Sequence, residues 1–244
     1  MPVTEEGLLV LPVRGIGEVV PGTDLARLIA DAVLPARPGG PALRDGDVVV
    51  VTQKIVSKAE GRLVPIDDDD PGAKAALVAR ESTRLLRRRG DLVISETRHG
   101  FVCANAGVDL SNVAAGTAAL LPEDPDLSAR RVRGGLLHAL GTDVGVIVSD
   151  TFGRPWRRGV TDVAIGCAGV AAVLDLRGTA DAAGRELVAT EICVVDELAA
   201  AAELVMGKDR GIPVAVVRGV PSAWLRPASV RTEIIRPPDE DLFR

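Results

Sequence analysis

Residues 144–159 read VGVIVSDTFGRPWRRG. Three valines and one isoleucine across 144–148, interrupted by Gly145, predict a buried strand. The run delivers Asp150 and Thr151 to its carboxyl end before the chain turns at Gly153, and open α/β sheets gather ligand chemistry at such ends. A carboxylate beside a hydroxyl is donor chemistry for a hard cation, Mg²⁺ or Mn²⁺, and Arg154, Arg157 and Arg158 add anion-binding charge. An Asp150 that merely caps a turn, beside solvated arginines, is the alternative left open.

Working outward, residues 48–51 are four valines in a row, a second buried strand. Further strands are predicted over 8–13, 92–95, 187–195 and 213–217. Helices are predicted after Asp24, over 73–89 as a basic amphipathic helix, over 127–140 between Pro125 and Gly141, and over 197–206 behind an Asp196 cap. Residues 100–112 lack periodicity and read as a loop, residues 153–169 are rich in Gly and Arg, and Pro71-Gly72 punctuates an acidic loop. Strands outnumber a strict βαβ alternation, so the fold class is α/β in the mixed α+β sense. One domain is expected over 1–235, with 236–244 as tail or linker. The 244 residues suffice for a buried core, and 47% hydrophobic content excludes disorder. Aromatics at 2% leave no stacking platform for single-stranded nucleic acid, and a net charge of −5 argues against a phosphate-backbone binder. Cys103, Cys167 and Cys193 show no metal or redox spacing and read as reduced, mostly buried residues. The acidic N-terminus is no signal peptide and no run is long enough for a membrane span, so a cytoplasmic protein is expected.

Other segments carry polar groups in suggestive places. In 98–112, Asp109 offers a second carboxylate, while Asn105 and Asn112 offer amides for a phosphate, ribose or base; a surface loop with local turns is the competing reading. Lys54 and Lys58 follow the valine strand as point charges for phosphate, although no Walker A pattern occurs. Gly15-Ile16-Gly17-Glu18 is a weak phosphate-loop signal. His99 lacks a zinc-spaced partner, and His138, in a leucine-rich helix, reads as structural.

Taken together these motifs resemble one family. DTFGRPWRRG at 150–159 with Thr161-Asp162 and Ala164-Ile165-Gly166, VVVVTQKIVSKAEG at 48–61, GVDLSN at 107–112 and IPVAVVRG at 212–219 are similar, in order and spacing, to coenzyme F420-0:L-glutamate ligases. The nearest form is the ligase domain of actinobacterial bifunctional enzymes, so either a single-domain relative or an excised domain is expected. The resemblance implies a two-subdomain fold, an intertwined homodimer and three small-molecule partners: F420-0, L-glutamate and GTP. It implies GTP as co-substrate, two divalent ions (Mg²⁺ or Mn²⁺) with K⁺ as a further candidate, and an acyl-phosphate intermediate. It assigns Asp109 and Asp150 to a first metal and Thr151 to a second, with Asp150, Thr151 and Arg154 as the catalytic set. The nucleotide would meet Ile16, Gly17, Glu18, Val19, Gln53, Lys58 and Asn112, and the later segment Met206, Gly207, Lys208, Asp209, Arg210, Gly211, Ile212 and Pro213. Gln53 stands where relatives often carry Ser. Lys208 stands where a metal-side ligand is expected, and a protonated lysine cannot ligate; either the second metal site is altered or Lys208 meets phosphate. From the residues alone, a metal-dependent phosphohydrolase and a non-catalytic deazaflavin- or nucleotide-binding module stay open as alternatives.

Overall fold

The computed structural model describes residues 7–37, 40–70 and 72–242. The acidic start at 1–6, Pro71 and residues 243–244, which entered the leader, loop and tail readings, lie outside the described residues. In chain order the elements are β1 (Leu9–Pro12), α1 (Leu25–Ala32), β2 (Val48–Thr52), α2 (Gln53–Ala59), β3 (Leu63–Pro65), α3 (Ala73–Glu81), β4 (Ser82–Arg89), β5 (Leu92–Thr97), β6 (Val102–Ala104), β7 (Thr117–Ala119), α4 (Pro125–Leu140), β8 (Gly145–Gly153), β9 (Val160–Ala168), β10 (Val173–Asp175), β11 (Glu191–Cys193), α5 (Val194–Met206), β12 (Val214–Arg218) and α6 (Val230–Glu233).

The central sheet runs β1-β12-β2-β8-β9. β2 and β8 are parallel, while β12 lies antiparallel between β1 and β2. Every valine of 48–51 is fully buried, as expected for a strand covered on both faces. α1 packs on α4, which lies across β8 and β9; α5 lies across β9, β12 and β1. Asp24 caps α1 by accepting from Arg27 N–H at 3.0 Å. Asp124 caps α4, and Gly141 ends it in the left-handed conformation at φ 68°. Residues 63–119 carry two small sheets, β3-β7 and β4-β5-β6, and their own apolar cluster around Leu77, Val78, Val93 and Leu120. The fold is mixed α/β, as the sequence predicts.

Five local readings are corrected. The helix expected over 73–89 stops at Glu81, and its second half is β4, hairpin-paired with β5 through Gly90 at φ 59°. Its apolar spacing misled because Leu85 faces solvent rather than a core. The polar exit 52–58 is largely α2, held by the buried Gln53 and Ser57. The loop read over 100–112 contains β6, paired with β5, and the Gly- and Arg-rich stretch 153–169 contains β9, which hairpins back on β8. Over 187–195 only Glu191–Cys193 is strand, because α5 starts at Val194; Cys193, not Asp196, takes the N-cap position. His138 is exposed rather than a core residue. The cysteines are free, with Cys103 and Cys167 buried and Cys193 half-buried; burial pushes each thiol up to about 12.

Candidate functional site

β1, β2 and β8 all end on the same edge of the sheet, and antiparallel β12 begins there, with Thr52 N–H donating to the Pro213 carbonyl at 2.9 Å. Carboxyl ends of strands, unlike their middles, leave side chains and loop backbone free to meet a ligand. A cavity of about 590 Å³ opens at this edge. The loop after β1 brings Ile16, Gly17, Glu18 and Val19 to its wall. α2 brings Gln53, Lys54 and Lys58, and the loop before β7 brings Asp109, Ser111 and Asn112. Asp150 comes from β8. The segment after α5 contributes Met206, Gly207, Lys208, Asp209, Gly211, Ile212 and Pro213.

Of the catalytic, nucleotide and metal residues that the resemblance implies, Thr151, Arg154 and Arg210 do not line this cavity. Thr151 stands one residue past Asp150 and is tied to the cavity through Lys208, whose ammonium donates to Thr151 Oγ1. Arg154, Arg157 and Arg158 lie exposed on the turn between β8 and β9, beside a Trp156 that is 90% exposed. Gln53 touches the cavity, but its amide donates to Ser57 Oγ at 2.5 Å and to the Leu120 carbonyl at 3.1 Å. Its side chain therefore holds α2 against the second apolar cluster. Asn105 also turns inward, accepting from Val93 N–H at 3.0 Å, so its amide supports β5 rather than a ligand. Asn112 keeps its place on the wall, in the left-handed region at φ 55°, which asparagine tolerates better than most residues.

The charges at the site interlock. Lys54 is ion-paired with Asp109 and also donates to the Ser111 carbonyl at 2.5 Å. Ser111 N–H donates to Asp109 Oδ1 at 2.7 Å. Burial pushes the Asp109 carboxyl up, but the bonds from Lys54 and Ser111 outweigh it and hold the group below the usual carboxylate range. Lys58 reaches across the mouth to Glu18 Oε1 at 2.6 Å. Asp150 differs: it accepts Thr151 N–H at 2.8 Å and makes no ion pair among the described residues. Burial, with the charges of Asp162 and Asp109 nearby, pushes its carboxyl up to about 7 against the pull of Thr151 N–H and Lys208.

Three contributors carry no role in the sequence reading, although Asp162 and Ser111 stand inside its motifs. Asp162 on β9 is 3% exposed and accepts from Ser149 Oγ at 3.0 Å and from Thr151 Oγ1 at 2.5 Å. Glu203 lines the cavity from the last turns of α5, its carboxyl raised by burial and by Asp162. Ser111 clamps Asp109. The available signals were an acidic residue in the paired DTFG…TD motif and a lone glutamate on an alanine-rich helix.

Among the described residues no group of three or more His, Cys, Asp or Glu side chains is arranged to hold a metal ion. That donor set does not suit zinc or an all-protein calcium cage. It does suit Mg²⁺ or Mn²⁺, which bind through one or two carboxylates and complete their shell with water and substrate phosphate. Asp109 and Asp150 are two such carboxylates on one cavity.

No described helix is long and apolar enough to cross a membrane. The family model for F420-0:Gamma-glutamyl ligase matches residues 15–219, a span that contains every wall of the cavity. The Coenzyme F420:L-glutamate ligase of Methanothermobacter thermautotrophicus is 42% identical, covering 98% of this chain and 99% of its own. Those of Methanopyrus kandleri and Methanocaldococcus jannaschii are 44% and 39% identical, covering 97% and 83% of this chain and 98% and 86% of their own. With the match extending over the central sheet and every loop that builds the site, the chain belongs to the F420-0:gamma-glutamyl ligase family and is a ligase.

Proposed function

We propose that this chain joins L-glutamate to coenzyme F420-0, consuming GTP and requiring Mg²⁺ or Mn²⁺, and then extends the product through γ-linked glutamates. One observation carries the reading. The nucleotide-side residues (Glu18, Lys58, Asn112 and the 206–213 segment) and the metal-side residues (Asp109 and Asp150) converge on one cavity, although they are scattered over most of the chain.

A carboxylate is a poor electrophile, so the reaction begins with its activation. A carboxylate oxygen of F420-0 attacks the γ-phosphorus, the bond to the β-phosphate oxygen breaks, and GDP leaves. The glutamate amine then attacks the acyl carbon, and phosphate departs with the C–O electron pair while the amine gives up a proton. Phosphoryl transfer asks the protein mainly for position and charge. Lys54 and Lys58 supply fixed positive charge along one wall, and Asn112 offers an amide to the nucleotide. The loops 16–19 and 206–213 enclose it from two sides. Asp109 and Asp150 would hold the divalent ion, which supplies charge neutralisation at the transferring phosphate. Arg154, Arg157 and Arg158, exposed beside the site, give the acidic substrates a region of favourable potential.

A homodimer belongs to the same proposal. The β4-β5-β6 sheet exposes Leu85, Leu92 and Val102 and ends at β4, whose outer edge pairs with no further strand among the described residues, a surface suited to a second copy. Cytoplasmic placement fits the three free cysteines. The test is mass spectrometry of the protein incubated with F420-0, L-glutamate, GTP and Mn²⁺. Glutamyl additions that vanish without GTP or without metal are the expected result. GTP cleavage without glutamyl addition would replace the proposal with a phosphohydrolase; neither event would leave a binding module.

A further inference from the structure

We infer that the Lys208 ammonium takes the place of a second divalent cation beside Thr151, so that the site works with one metal ion and one built-in ammonium. The inference rests on the GTP-and-metal reading above.

α5 ends at Met206, and Gly207 follows with φ 63° and ψ 151°, a backbone state that glycine adopts without strain. The turn aims Lys208 back to the end of β8, where its Nζ donates to Thr151 Oγ1. The Thr151 proton goes to Asp162 Oδ1 at 2.5 Å, and Asp162 is fixed in turn by Ser149 Oγ at 3.0 Å. A hydroxyl has one proton and two accepting positions. The proton and one position are already taken by Asp162 and Lys208. An Mg²⁺ on the remaining position would sit about 2.0–2.1 Å from the oxygen, hard against an ammonium bonded to the same atom. Two cations on one neutral hydroxyl repel.

Charge balance points the same way. Asp109, Asp150 and Glu203 line the cavity and Asp162 stands behind Thr151, within electrostatic reach of Asp150 and Glu203, four carboxylates in all. Lys54, Lys208 and a single divalent ion neutralise them before the nucleotide enters. A second divalent ion would leave the empty site with excess positive charge.

The chemistry permits the exchange. An ammonium cannot acidify a bound water, but neither nucleophile in the proposed reaction is water: one is a carboxylate, the other an amine. What the position must supply is positive charge and hydrogen-bond donors for phosphate oxygens. After its bond to Thr151, Lys208 keeps two donors for that purpose.

The test is a count of bound Mn²⁺ on the full chain, saturated with the β,γ-imido analogue of GTP, read from the electron paramagnetic resonance signal of free Mn²⁺. One ion per chain is expected for wild type and two for Lys208→Gln. The double variant Lys208→Gln/Thr151→Val is expected to return to one. Lys208 is exposed, so its replacement leaves the fold standing, which circular dichroism checks. Two ions on wild type, or no gain in Lys208→Gln, overturns the inference while glutamyl addition by the same preparation keeps the ligase reading alive. No ion on any form, with no glutamyl addition, overturns both.

Discussion

Asp126 is a buried carboxylate whose removal should be felt far along the chain. It lies in the first turn of α4, where the helix dipole favours a negative charge. Its Oδ1 accepts from Cys167 N–H on β9 at 2.8 Å and from Val230 N–H at the start of α6 at 2.9 Å; Oδ2 accepts from Arg231 N–H at 3.1 Å. One side chain thus ties a helix, an edge strand and the C-terminal helix together. Asp126→Ala leaves the Cys167 and Val230 donors buried without a partner, at about 1–3 kcal/mol each. The Arg231 donor, only partly buried, recovers water. Relief of the carboxylate's own desolvation offsets part of this, and a net loss of about 3 kcal/mol is expected. For a chain of this size each kcal/mol moves the melting temperature by about 2–4 °C, so the midpoint should fall by about 6–12 °C. Asp126→Asn keeps an oxygen for the two buried donors and should lose less than half as much. Calorimetric melting of the three proteins measures both. A fall below about 2 °C in Asp126→Ala, or equal losses in the two variants, would refute the account of Asp126 as a backbone clamp.

Asp150→Asn should lower GTP-dependent glutamyl addition on the order of 10²–10³-fold without lowering the melting temperature, since it removes a carboxyl whose charge burial disfavours and keeps an acceptor for Thr151 N–H; steady-state kinetics beside calorimetry reads both. Gly166→Ala should destabilise by about 1–3 kcal/mol or more, because a Cβ there would come within 2.3 Å of the Pro125 carbonyl at the start of α4; urea unfolding gives the value. Glu233 accepts from both Arg226 Nη atoms at 2.7 and 2.8 Å, and this pairing holds its carboxyl below the ordinary 4.5. A carboxyl lowered in the folded state stabilises above its unfolded pKa and loses that contribution as pH falls through the folded one. Wild type should therefore lose more stability than Glu233→Gln on going from pH 7 to below 4.5, the two curves converging in acid, as urea titrations along the pH series would show.

The parts of this fold that were legible in sequence are those whose signal is local. Four consecutive valines are buried whatever they pair with, and Asp24, Asp124 and Gly141 cap their helices with atoms three or four residues away. The segment 73–89 was misread because Leu77 and Leu85 share a helical spacing. Only the pairing of Ser82–Arg89 with Leu92–Thr97 shows that the second leucine belongs to a hairpin. β9 was hidden by the glycines and arginines of 153–159 just before it. The candidate site was legible to a similar degree. Asp150 stands at the end of a strand that declares itself, and the lysines of α2 follow another. Asp162 and Glu203 gain meaning only from neighbours elsewhere in the fold.

The contact between Thr151 and Asp162 illustrates what a motif alone does not reveal. Through Val148 the β8–β9 ladder runs in one register, with Val146 opposite Ala168 and Val148 opposite Gly166. A bulge then shifts it, so that Ser149 faces Ala164 and Thr151 faces Asp162. Had the first register continued, Thr151 would stand opposite Val163. Because side chains alternate faces along a strand, that one-residue slip would also turn Asp162 to the opposite side of the sheet. The hydroxyl would then have no carboxylate to receive its proton, and Lys208 would meet a freely rotating threonine. The extra residue in the ladder is Ile165 on β9, opposite the Val148–Ser149 step just before Asp150, where a bulge re-aims side chains at a sheet's functional edge. The strand pattern places Asp150 at the cavity with Thr151 beside it; the bulge decides that Thr151 arrives with Asp162 behind it.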